Sequence, residues 1–60
     1  MIDRLLRMAE VEATIGKKKS WIYEELRLGR FPKPVKLGSS TRWPESRIQK
    51  YIEDLMNETS

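Results

Sequence analysis

Three lysines stand in a row at positions 17–19, and just downstream Ser20, Tyr23, Glu24 and Arg27 recur at i, i+3, i+4 and i+7, the spacing of one helix face. Two further cations, Lys36 and Arg42, sit in short segments that alternate with the period of a strand. Residues of these types hold anions. Ammonium and guanidinium groups donate charge-assisted hydrogen bonds to phosphate or carboxylate oxygens, and hydroxyls add neutral ones. They do not assemble a catalytic centre. The chain contains no histidine and no cysteine, so the commonest general base, the commonest metal ligand, the thiolate nucleophile and the disulfide are all missing. No nucleophile–base pair and no metal cluster can be built from what is left. The expectation is a protein that is not an enzyme and needs no cofactor.

The distribution of charge sharpens this reading. The net charge is only +3, but residues 17–50 carry ten Lys/Arg against Glu24, Glu25 and Glu45. The first 16 residues hold a slight acidic excess, and the last ten hold Glu53, Asp54 and Glu58 with no cation. A basic middle between acidic ends is the footprint of a polyanion-binding surface. At 60 residues the chain allows one small domain with a modest core. No apolar run approaches the ~20 residues of a membrane span, and the opening MIDRLLRMAEVEA lacks the continuous apolar stretch of a signal peptide. A reduced, cytoplasmic module with no membrane partner is expected.

The elements that must position these cations follow from period and turn signals. Met8, Val11 and Ile15 form one apolar stripe, so a helix is expected over 8–15, ended by Gly16 and preceded by Leu5 and Leu6 as an extended lead-in. A second helix is expected over 19–28, stopped by Gly29, with Ile22 and Leu26 on its buried side. Trp21, Glu25 and Leu28 lie on its flank, and the Ser20, Tyr23, Glu24, Arg27 stripe faces outward. Two short helices joined through Gly16, Lys17 and Lys18 make a helix-turn-helix unit. Pro32 and Pro34 then bar a helix. Val35-Lys36-Leu37 and Thr41-Arg42-Trp43 read as a hairpin around Gly38-Ser39-Ser40, a ribbon over 35–43. In this arrangement Val35, Leu37 and Trp43 point inward, Lys36 and Arg42 point out, and Phe31 and Trp43 belong to the core. Two strands alone are marginal, so the hairpin must lean on the helices. Pro44 opens a last helix over 44–56, where Ile48, Tyr51, Ile52, Leu55 and Met56 roof the core. Residues 57–60 are expected to fray. The predicted fold is mainly α with a small β-hairpin: a winged helix-turn-helix of three helices and a two-stranded wing, one domain over 1–60.

The residues also carry a specific resemblance. The string GKKKSWIYEELRLGRFPKPVKLGSSTRW resembles the core of the AlpA family of phage and prophage regulators, part of a wider excisionase and MerR-like class of winged helices. Matching features are RLLR before the first helix, Glu10-Val11 within it, Gly16 at the turn, then Ser20, Ile22-Tyr23, Gly29, the run FPKPVKLG and Arg42-Trp43. The resemblance covers roughly residues 4–55. It implies a small DNA-binding protein acting at a prophage or mobile-element locus, either by activating an integrase gene or as an excisionase that bends DNA. It maps the recognition helix onto 19–28 and the wing onto 35–43, and it makes Ser20, Tyr23 and Arg42 DNA contacts, with Lys36 as a wing contact. Departures from the family pattern are equally plain. Arg7 and Lys18 stand where Ser or Thr usually caps the first two helices. Lys17 replaces an apolar residue, Trp21 a smaller polar one, Glu24 a basic one and Glu25 an apolar one.

Two functions follow from different classes. In the first, the chain binds double-stranded DNA sequence-specifically. Lys17, Lys18 and Lys19 face the backbone at the helix-turn-helix turn, Ser20, Tyr23 and Arg27 enter the major groove, and Lys36 and Arg42 touch phosphate or the minor groove. One small module covers few base pairs, so it needs cooperating copies or a partner such as a recombinase or the transcription machinery. In the second, the chain is a protein-interaction module that inhibits or recruits a regulator or recombinase through Trp21, Glu24 and Glu25. Trp21 is either core or an exposed partner surface. Arg27 reads a base, pairs with Glu24, or lies along the backbone. Glu24 either accepts from a cytosine amine or lowers non-specific affinity.

Overall fold

The apolar stripe Met8, Val11, Ile15 becomes helix α1, Met8–Ile15, and Gly16 closes it in the left-handed conformation at φ +73° that a Cβ would disfavour. This is a computed structural model of the chain, and it describes residues 2–59. Arg7 occupies the N-cap of α1 in extended backbone without a side-chain cap. The compensation comes from within the helix: the Glu10 carboxylate accepts the Arg7 backbone N–H at 2.9 Å, one half of a capping box. That bond is the main reason the Glu10 carboxyl titrates below its ordinary range, with Arg4, Arg7 and Arg42 adding smaller contributions.

Helix α2, Lys19–Arg27, ends one residue earlier than its sequence pattern suggests. Its C-terminus explains why. Gly29 takes φ +75°, its N–H reaches the Leu26 carbonyl, and the Arg30 N–H reaches the Glu25 carbonyl at 2.9 Å. These two bonds are a Schellman closure, which turns the chain out of the helix and sends it toward the Phe31–Pro34 segment.

The lead-in at Leu5 and Leu6 is more than an extended approach. It is strand β1, Leu5–Leu6, and it pairs antiparallel with β3, Ser40–Pro44, which in turn pairs with β2, Val35–Leu37. The wing is therefore the outer part of a three-stranded sheet in the order β1-β3-β2. The third strand supplies the support that a two-stranded ribbon lacks. Helix α3, Glu45–Thr59, begins directly after Pro44, one residue later than expected, and runs further. The segment expected to fray is helical through Thr59; Ser60 lies outside the described residues. Leu55, Met56 and Glu58 favour a helix, and no glycine or proline interrupts it there.

Asp3 ties the two ends of the fold together. Its carboxylate accepts both the Ser46 backbone N–H (3.1 Å) and the Ser46 hydroxyl, while the Arg4 carbonyl accepts the Glu45 N–H at 2.7 Å. The first turn of α3 is thus capped from the opposite end of the sequence. The two Ser46 bonds hold the Asp3 carboxyl below its ordinary value.

The core is Leu6, Val11, Ile22, Phe31, Trp43 and Ile48. Trp43 lies at its centre, with no exposed surface. Its ring meets Phe31 edge-on at 6.0 Å between centroids, and its indole N–H donates to the Pro32 carbonyl at 2.9 Å. Met8, Ile15, Leu26, Tyr51 and Ile52 are half-buried around this cluster. Leu55 and Met56, expected in the core roof, are exposed. A helix of this length spans ~22 Å, more than so small a core can cover.

Register supplies the main correction to the sequence reading. The hairpin loop has two residues, Gly38 and Ser39, with Gly38 at φ +62° in the first central position as a type II′ turn requires. Leu37 therefore pairs with Ser40, Lys36 with Thr41 and Val35 with Arg42. Because paired residues share a face and neighbours alternate, Trp43 lies on the face of Thr41 and Lys36. Val35, Leu37 and Arg42 lie on the other face. Leu37 is accordingly half exposed rather than inward. A three-residue loop, as the sequence suggested, would have put Val35, Leu37 and Trp43 together; one residue fewer reverses the relation.

Candidate nucleic-acid interface

The turn between α1 and α2 places Lys17 and Lys18 at the entry to α2 and Lys19 in its first turn, all three exposed. Lys18 is the N-cap residue in extended backbone, and an ammonium cannot accept a helix N–H. Glu10 serves α1 and Asp3 serves α3, but among the described residues no side chain caps α2. Its first amides lie at the positive end of the helix dipole, beside three cations. Among the described residues no carboxylate comes within ion-pair distance of Lys17, Lys18 or Lys19. Lys17 instead places its ammonium 5.4 Å from the centre of the Trp21 ring.

Along the outward face of α2, Ser20, Tyr23, Glu24 and Arg27 are all exposed, as their spacing predicts. The sequence left open whether Arg27 pairs with Glu24, and the structure pairs them. The Arg27 Nε donates to one Glu24 oxygen at 3.1 Å and its Nη2 donates to the other. This bidentate bond lowers the Glu24 carboxyl pKa and raises that of the guanidinium.

On the wing, the Lys36 Nζ donates to the Thr41 hydroxyl at 2.8 Å, and the half-buried Arg42 donates from Nη1 to the Thr41 carbonyl at 2.9 Å. Both cations keep further donors. They leave opposite faces of the ribbon, because their register partners differ. The structure thus gathers Lys17, Lys18, Lys19, Ser20, Tyr23 and Arg27 on one helix and its entry turn. It sets Lys36 and Arg42 on a separate ribbon.

The three residues suggested as a protein contact are each engaged within the chain. Trp21 is half-buried and meets Phe31 edge-on at 6.4 Å. Glu24 holds Arg27. Glu25, with its side chain 13% exposed, accepts from Nη2 of Arg30 at 2.9 Å and from its Nε at 3.2 Å, bracing the turn after α2.

Sequence reasoning missed a second group of cations. Arg30, Arg47 and Lys50 line a groove with Pro32, Tyr51 and Asp54. Their sequence spacing is irregular, so no periodic pattern announces them. Each is already occupied: Arg30 by Glu25, Lys50 by Asp54 at 3.0 Å, and Arg47 by the Lys33 carbonyl at 2.9 Å. The charge of this groove is largely compensated in place, unlike that of the lysine run. Asp3 was also missed, since nothing local marks an acid that caps a helix 43 residues away.

A two-helix unit followed by a β-ribbon and a closing helix defines the winged helix-turn-helix class. Residues 4–56 match the model of a family described as prophage CP4-57 regulatory protein (AlpA). The chain belongs to this family of phage regulatory proteins. No curated protein and no solved structure matches it. Among the described residues, no helix is long and apolar enough to cross a membrane.

Proposed function

We propose that this chain, acting as one domain, is a sequence-specific double-stranded-DNA-binding regulator of a prophage or mobile element in the bacterial cytoplasm. The observation that carries the reading is the exposed lysine run at the uncapped start of α2, without carboxylate partners among the described residues. A helix N-terminus flanked by cations is a phosphate site. With the backbone anchored there, the Ser20, Tyr23, Arg27 face lies along the major groove, where an α-helix fits and base edges are distinguishable. Lys36 and Arg42, leaving opposite faces of the wing, reach the two walls of a groove rather than one phosphate. Activation of an integrase gene and excision both use this contact. Both call for several copies assembled on repeated sites, with bending, or for a recombinase or the transcription machinery as partner.

Binding to duplex DNA from upstream of its own gene, and to a scrambled duplex, across a salt series tests the reading. The slope of log K on log salt is expected at about −4 or steeper, reporting roughly four or more neutralised phosphates, with tighter binding to the upstream duplex. No binding at low salt would overturn the DNA reading; equal affinity for the two duplexes would count against specificity for that site.

Lys18→Ser probes the uncapped helix directly. A serine there accepts a helix N–H and is expected to stabilise the free protein by ~1 kcal/mol in a thermal melt. The same change removes a cation from the phosphate site, so DNA binding weakens and the salt slope falls by about 0.9. A gain in both stability and affinity would refute the phosphate site.

A further inference from the structure

We propose that Glu24 and Arg27 act as one unit that reads a guanine, with Glu24 orienting the guanidinium rather than touching DNA itself. This rests on the DNA-binding reading above and names the base that one part of the α2 face selects. The geometry of the pair carries it. A guanidinium has two hydrogen-bonding edges, one formed by Nε with Nη2 and one formed by Nη1 with Nη2. Glu24 occupies the first edge through both of its carboxylate oxygens. No group among the described residues occupies the second edge, and its two parallel N–H groups match the O6 and N7 acceptors of guanine in the major groove.

The pair stands where such reading has to occur. Arg27 and Glu24 keep 68% and 52% of their side chains exposed, on the same face as Ser20 and Tyr23. The carboxylate also selects against the competing target. A free arginine at a DNA surface binds phosphate readily, but a carboxylate held against it is repelled by the phosphate backbone, so the pair is driven toward base edges. Glu24 is thereby spent and does not accept from a cytosine amine. A second bidentate pair, between Glu25 of the same helix and Arg30 in the turn that follows it, shows the contrast. Glu25 holds Arg30 through the same two kinds of nitrogen, but Glu25 is nearly buried on the flank beside the C-terminal turn. That pair braces the fold, whereas Glu24 and Arg27 have no such packing to serve.

The test selects bound duplexes from a pool with a randomised centre, then measures affinities for the selected site and for its single-base variants. The wild-type chain is expected to select a site with one guanine whose replacement weakens binding roughly ten-fold or more. Arg27→Ala loses the preference at that position alone. Glu24→Ala keeps the rest of the site, loses most of the guanine discrimination, and binds duplexes lacking the guanine more tightly than wild type does. Glu24→Gln, which keeps one acceptor without the charge, falls between. Because both side chains are exposed, the three variants are expected to melt with the wild type. An unchanged guanine preference in Glu24→Ala would overturn the proposal, as would an Arg27→Ala variant that binds all duplexes equally less well. In either case the DNA-binding reading would stand. A wild-type chain that binds without selecting any site, or does not bind, would remove the specific-DNA reading and this inference with it.

Discussion

Trp43→Ala is expected to abolish the cooperative melt of this chain or to lower its midpoint by about 15 °C or more. Truncating a buried tryptophan costs ~3–5 kcal/mol in lost transfer energy and residual cavity. A chain of this length holds in total only ~3–9 kcal/mol. Trp43 also sits where three parts of the fold meet. Its strand pairs with β1 through Leu6, its ring packs edge-on against Phe31, and its indole N–H satisfies the Pro32 carbonyl. Removing the side chain empties the centre of the core and orphans that carbonyl in one step. Trp43→Phe keeps a ring and loses the hydrogen bond, so it is expected to lie between. Circular dichroism during heating reads both variants. A loss below about 1.5 kcal/mol for the alanine variant would show that the core is not organised around this ring.

The largest effect on binding is expected from Lys17→Ala, Lys18→Ala and Lys19→Ala combined. All three side chains are exposed, and no carboxylate among the described residues depends on them. The fold should therefore persist, losing only the contact of Lys17 with the Trp21 ring. Removing three phosphate contacts should reduce the salt slope by about 2.7 and weaken binding near 0.1 M salt on the order of 10²-fold. The loss should be nearly the same for specific and scrambled duplexes, because phosphate contacts position the protein without reading sequence. Measuring both duplexes by fluorescence anisotropy separates this from the Arg27 effect, which is confined to one base. An unchanged slope would place the lysine run away from DNA.

Together the two variants divide the chain into parts that hold the fold and parts that face a partner. The division follows burial. The six residues of the core are all apolar, and no buried polar or charged side chain occurs among the described residues. The charged residues accordingly lie outside the core. Glu24 is committed to Arg27. Lys18 at its N-cap leaves α2 the helix without a side-chain acceptor among the described residues. Ile22 on the same helix is fully buried.

Much of this protein was legible in its sequence because the determining signals are local. The bounds of α1 follow from an apolar stripe and Gly16, and the end of α2 lies within one residue of its pattern because Gly29 can adopt the left-handed turn. The family resemblance rests on FPKPVKLG and Arg42-Trp43, and the family match covers those residues. The exposed stripe on α2 follows from a period of 3.6 residues and needs no partner to define it.

What the tertiary structure alone decided involves residues far apart or choices between close alternatives. Asp3 caps α3 and Leu5–Leu6 joins the sheet because the chain returns to its own beginning, which no local window records. The Arg27–Glu24 pair was one of several local options, and side-chain geometry selected it. The wing shows the reason most clearly. Its strands were evident from alternation, but the faces of Lys36 and Arg42 depended on whether the loop holds two residues or three. Alternation sets which neighbours oppose each other within a strand, while relating two strands requires the register, and register is a property of the pairing.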